Sequence, residues 1–149
     1  KIRFRASGHD SLLKELAEKH GVQEALECCP SIPYRQALAE MLRADGLLVM
    51  QASGCNEQIP AKIYEYLRAG RPIIALTDPI GDTATTLLAA GVKDIAPLDA
   101  AEKIADLLVM CINDLQRGKL HLPDVNAVRR ASRRERSQEL AGLLEGVSS

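Results

Sequence analysis

Short apolar runs alternate with amphipathic stretches along this whole sequence, and few folds satisfy that pattern. The runs at 25–29, 46–50 and 72–76 are five residues long and end at Pro30, Gln51 and Thr77, which reads as short buried strands. The stretch 2–6 differs: Ile2 and Phe4 alternate with Arg3 and Arg5, as in a strand at or near a sheet edge. Between the runs, apolar residues recur at helical spacing. Leu12, Leu13, Leu16 and Ala17 form one such face, stopped by Gly21. Ala37, Leu38, Met41 and Leu42 form another, on a helix opened by Pro33. A third helix covers 60–69, with Pro60 at the tolerated first position.

The second half continues in kind. Asp82 or Thr83 caps a helix that ends before Gly91, a short strand covers 94–96, and a helix runs near 100–115. After breaks at Gly118 and Pro123, a basic amphipathic helix is expected near 125–144. Strand and helix thus alternate five times, which implies right-handed crossovers and a doubly wound α/β fold with a parallel five-stranded sheet. Residues 1–123 read as the Rossmann-like domain, and 124–149 as its C-terminal basic helix.

Composition narrows the function. With 149 residues, 46% of them hydrophobic, the chain can bury the core of one domain, which excludes disorder as its main state. A net charge of −1 gives no field to hold nucleic acid. No apolar stretch approaches the roughly 20 residues of a membrane span. Cys28, Cys29, Cys55 and Cys111 show no metal or disulfide spacing, and the three histidines are scattered. A reduced, cytoplasmic setting without metal or cofactor is the expectation. The chain starts at Lys1 without a signal sequence and reads as part of something longer.

In doubly wound sheets the ligand crevice lies at the carboxyl ends of the strands. That rule selects the loops 7–10, 30–34, 51–60 and 77–83. In the third loop and the helix after it, Glu57 precedes the positive helix end, while the amides of Ala61 and Lys62 point out of that end towards an anion. Turning the helix by 100° per residue puts Ile63, Tyr66, Leu67 and Gly70 on the stripe facing the sheet. Glu65 lies away from it, flanked by the small residues Ala61 and Ala69. Two acceptor carboxylates beside an anion site suit a ligand with hydroxyls next to a diphosphate, such as a nucleotide sugar.

Each residue alone has a plainer reading. Glu57 could merely complement the helix dipole, and Glu65 could pair with Arg68 on a solvated face. Asp78 reads as a turn residue and Asp82 as a cap, and Cys55 lacks a neighbouring base. Arg129, Arg130, Arg133, Arg134 and Arg136 read as a solvated face whose Leu140, Leu143 and Leu144 pack inward. Contact with anionic lipid is the alternative for that arginine run. Glu57, Lys62 and Glu65 together, at the end of an expected strand, favour function.

The segment 64–75, Tyr-Glu-Tyr-Leu-Arg-Ala-Gly-Arg-Pro-Ile-Ile-Ala, resembles the C-terminal donor-binding domain of the GT-B glycosyltransferases, in particular family 4 (glycosyltransferases group 1). Glu57 and Glu65 match that family's Glu-x7-Glu spacing, and Cys-Pro-Ser-Ile-Pro-Tyr at 29–34 takes the place of its loop against the nucleotide base. The resemblance covers nearly the whole chain. It implies transfer of a sugar from a nucleotide sugar to an acceptor hydroxyl with retention and without metal, in bacterial surface polysaccharide or glycolipid synthesis. Glu57 would face the donor sugar near its transferring carbon, and Glu65 would bind the ribose hydroxyls. Ala61 and Lys62 would hold the diphosphate, and Ser31 and Ile32 would lie along the base. Gly8 and Asn56, in the crevice loops, complete the expected set.

The resemblance also implies an acceptor domain, a strand and a basic phosphate loop ahead of Lys1. Without that strand, the five remaining ones could close in the order 2-1-3-4-5, with 2–6 beside 46–50. Strand exchange between two copies is the rival arrangement. In the full-length protein, peripheral contact with the inner face of the membrane and a homodimer through the exposed surface are further expectations. A non-catalytic flavodoxin-like binding or signalling module, or another GT-B enzyme such as a sugar-nucleotide epimerase, are the alternative functions.

Overall fold

A computed structural model describes residues 1–147, so positions 148 and 149 of the expected terminal segment lie outside the described residues. The chain divides into two compact units between Ala39 and Glu40. Parallel strands alternate with helices in both, so the α/β class stands.

The first unit holds β1 (Ile2–Arg5), α1 (Asp10–Lys19), a 3-10 turn and β2 (Leu26–Cys29), and runs into α2 (Tyr34–Arg43). β1 and β2 pair in parallel with Ile2 opposite Leu26 and Arg5 opposite Cys29. One cross-strand pair is ionic: Arg3 Nε donates to the Glu27 carboxylate at 2.9 Å. α1 stops where the sequence demands. Gly21 takes φ +66, and the amides of Gly21 and Val22 close onto the carbonyls of Glu18 and Ala17.

The second unit contains β3 (Leu47–Met50), α3 (Lys62–Ala69), β4 (Ile73–Leu76), α4 (Asp82–Ala89), β5 (Ile95–Ala96), α5 (Ala101–Gln116), α6 (Val125–Arg130) and α7 (Arg133–Val147). Its strands form a parallel sheet in the order β3-β4-β5. Val49, Ile73 and Ala75 of the sheet, Ile63 and Leu67 of α3, and Leu87 of α4 form the fully buried core. The face expected of α3 is therefore the one it buries, with Tyr66 packed against the same core. Gly70 ends α3 in the left-handed region at φ +60.

Four expectations are corrected. The strands form two sheets, β1-β2 and β3-β4-β5, and among the described residues no ladder joins 2–6 to 46–50. The order 2-1-3-4-5 would have placed Ile-Arg-Phe-Arg in the interior of a sheet, between two other strands. Interiors of parallel sheets are covered on both faces, and a strand carrying Arg3 and Arg5 cannot be dehydrated there at acceptable cost.

The single helix at 125–144 is in fact two. Asp124 caps α6 by accepting from the Ala127 amide at 2.7 Å, and Ser132 Oγ accepts from the Glu135 amide at 3.2 Å, starting a new helix. Leu140, Leu143 and Leu144 do not pack inward; they are 57%, 64% and 61% exposed. Helical periodicity explains why, since Arg133 and Arg136 fall on the same stripe and keep it wet. Finally, neither Asp82 nor Thr83 caps α4. Gly81 occupies that position, and the Thr83 hydroxyl is committed elsewhere.

Candidate functional site

In the first unit, Gly8 sits in the loop leaving β1 at φ +74, exposed and with open space where a Cβ would stand. The residue before this loop, Ala6, is itself left-handed at φ +51, a conformation that costs a side-chain-bearing residue roughly 1 kcal/mol or more. Ser7 Oγ donates to the Asp10 carboxylate at 2.5 Å and accepts from the His9 amide at 3.0 Å, fixing the turn into α1. Ser31 is exposed and Ile32 half-buried in the loop leaving β2. The two loops are tied: the Arg5 guanidinium donates to the Pro30 carbonyl at 2.6 Å, and the Ala6 amide to the Cys29 carbonyl at 2.9 Å.

In the second unit, the loops leaving β3 and β4 are locked side by side. Asn56 Nδ2 donates to Asp78 Oδ2 at 2.7 Å, while the Asn56 carbonyl accepts from the Asp82 amide at 2.8 Å. Thr83 Oγ1 donates to the Gln58 carbonyl at 3.0 Å. Asp78 also accepts from the Ile80 amide, and these two donors, Asn56 first, hold its carboxyl below the usual 3.8. Gly81 lies against Asn56 so closely that a Cβ would meet Asn56 Oδ1 at 3.0 Å.

The locked loop then enters α3. Ala61 stands at the helix start without a side-chain cap. Ile63 and Tyr64 turn their amides back onto the Pro60 and Ala61 carbonyls. The amides of Ala61 and Lys62 find no acceptor among the described residues, and Pro60 carries no N–H. Ala61, Lys62 and Glu65 are exposed around this end, and Glu57 is exposed in the loop before it. The second unit thus carries Asn56, Glu57, Ala61, Lys62 and Glu65 on one loop–helix segment. Gly8, Ser31 and Ile32 occupy the strand-end loops of the first unit.

A concavity of about 600 Å³ lies elsewhere, lined by Leu67, Ala90, Ala127, Arg136, Leu140 and Leu143 among others. None of Glu57, Lys62 and Glu65 lines it. At its edge the Arg136 guanidinium stacks 5.5 Å from the centre of the Tyr64 ring. Burial, with help from Asp94 and Asp114, pushes the Cys111 thiol up to about 11, which removes it as a nucleophile near neutral pH. Among the described residues no three His, Cys, Asp or Glu side chains come together as a metal site. No described helix is long and apolar enough to cross a membrane.

The lock between the two loops escaped the sequence reading. Asn56 and Asp78 are 22 residues apart and Gln58 and Thr83 are 25 apart, so no local spacing connects them. Gly81, just ahead of a helix, was the one local sign of a close approach.

Compared with protein-family models, with curated proteins and with solved structures, the chain gives no significant match. Its class rests on its own architecture: an α/β protein of parallel β-α-β units.

Proposed function

We propose that this chain is the donor-binding part of a retaining glycosyltransferase that moves a sugar from a nucleotide sugar to an acceptor hydroxyl. One observation carries the reading. The start of α3 offers two amides without internal acceptors, with Lys62 beside them and Glu57 and Glu65 exposed on the same segment. Amides and an ammonium suit a diphosphate, and carboxylates suit hydroxyls. The resemblance of 57–75 to the Glu-x7-Glu segment of the GT-B family supports the same assignment.

In this reading Glu65 accepts from the ribose hydroxyls and the Ala61 and Lys62 amides hold the diphosphate. Glu57 stabilises positive charge developing on the sugar as the diphosphate departs. An acceptor-binding domain is the natural partner. The chemistry needs electrostatics and positioning, without a metal or cofactor.

The test is calorimetric titration with uridine, guanosine and adenosine diphosphates and their glucose conjugates. One of these binds, and Glu65→Ala weakens it by roughly 1–3 kcal/mol, the cost of hydrogen bonds lost from a charged partner. Binding untouched by Glu65→Ala, or no binding by any of the six, overturns the assignment.

A further inference from the structure

Gln51 is the first residue past β3, and its side chain is nine-tenths buried at 9% exposure. Its own amide donates to the Leu76 carbonyl at 3.0 Å, so its backbone is fixed to the end of the β3-β4 ladder. From that anchor the carboxamide reaches into the following loop. Nε2 donates to the Cys55 carbonyl at 2.8 Å and to the Gln58 carbonyl at 2.8 Å. Those carbonyls flank Asn56 and Glu57. Two acceptors on one side-chain atom identify it as the NH2 group, which leaves Oε1 on the other side. Oε1 is buried and has no donor among the described residues.

That orphaned acceptor carries the argument. A buried carbonyl without a donor weakens a fold, and architecture alone would be better served by an apolar side chain here. Neither loop carbonyl needs Gln51 for its own satisfaction. The Cys55 carbonyl also accepts from the Gln58 amide at 3.0 Å, and the Gln58 carbonyl from Thr83 Oγ1 at 3.0 Å. An apolar residue at 51 would therefore leave no new orphan behind and would remove an existing one. What it would lose is the clamp.

We propose that Gln51 is a positioning residue: it holds the Cys55–Gln58 arc so that Glu57 is presented to the donor sugar in a fixed geometry. The inference rests on the donor-binding reading for what Glu57 does, and on geometry alone for the clamp. Ordering the loop before binding lowers the cost of ordering it on binding. The gain falls on the part of the ligand that Glu57 touches, the sugar, and not on the nucleotide.

The experiment compares the full chain with its Gln51→Leu and Glu57→Ala variants in three measurements. These are the thermal midpoint, titration with nucleoside diphosphates and their glucose conjugates, and amide hydrogen exchange at 55–58. Gln51→Leu should keep or raise the midpoint and bind the bare diphosphate as the parent does. It should lose the extra affinity of the sugar conjugate to the level of Glu57→Ala, and exchange at 55–58 should quicken. A lowered midpoint with proportionate loss of bare diphosphate binding would assign Gln51 to the fold alone and overturn the proposal. So would an unchanged sugar increment or unchanged exchange. Should the parent chain bind none of these ligands, the donor-binding reading fails and the sugar-presenting role falls with it. The exchange comparison then still decides whether the clamp exists.

Discussion

Asn56 and Asp78 join two loops that are remote in sequence through one hydrogen bond of 2.7 Å, from Asn56 Nδ2 to Asp78 Oδ2. The bond aligns the ends of two neighbouring parallel strands, where ligands of such sheets bind. It also fixes the charge of Asp78, because a carboxylate that accepts hydrogen bonds resists protonation.

Asn56→Ala should lower the thermal midpoint at pH 7, and the deficit should depend on pH. A carboxyl held below 3.8 in the folded state adds stability that is present above 3.8 and lost as pH falls through its folded value. The midpoints of parent and variant should therefore converge as pH drops below 3.8. Parallel curves from pH 7 to pH 3 would show that the bond does not set the charge of Asp78.

Two glycines should respond to alanine with opposite signs. At Gly81 a Cβ would stand 3.0 Å from Asn56 Oδ1 and 3.2 Å from its Cγ, forcing the loops apart. Gly81→Ala should destabilise by about 1–3 kcal/mol, the usual cost of overpacking. Gly142 lies inside α7 with nothing within 4 Å of its Cβ position, so Gly142→Ala should stabilise by about 0.5–1 kcal/mol. Denaturant titration of both variants reads the two signs directly.

Asp94 should behave inversely to Asp78. It is 7% exposed, and burial raises its carboxyl above 3.8 despite the His121 ring 3.9 Å away. A raised carboxyl contributes stability that is complete below 3.8 and lost as pH climbs through the folded value. Asp94→Asn keeps the neutral shape at all pH. Its midpoint should exceed the parent's at pH 7, and the difference should close as pH falls below 3.8. A variant less stable than the parent at pH 7 would mean that the ionised form is the favoured one.

Some of the candidate site could be read from the sequence because its determinants are local. Ile63 and Leu67 four apart and Gly70 at the stop set the orientation and the end of α3, which begins at Lys62, two residues after the start expected at Pro60. With those fixed, Glu65 could only lie on the open side. The Gln51 clamp was not legible: its bonds to the Cys55 and Gln58 carbonyls follow a loop path that no periodicity describes. The terminal leucines misled for a related reason, because a pattern shows which face is apolar and not whether anything covers it.

The sequence by itself determined the elements as far as α5, their alternation and the parallel α/β class, since each depends on periodicity and on stop residues within about ten positions. Tertiary structure alone decided which strands pair, and that Asn56, Gln58, Gly81 and Thr83 lock two loops together. Strand pairing is a choice among edges with similar backbone hydrogen bonds. Periodicity is a property of one segment, whereas pairing depends on two segments remote in the chain, such as β1 and β2 with Ile2 opposite Leu26.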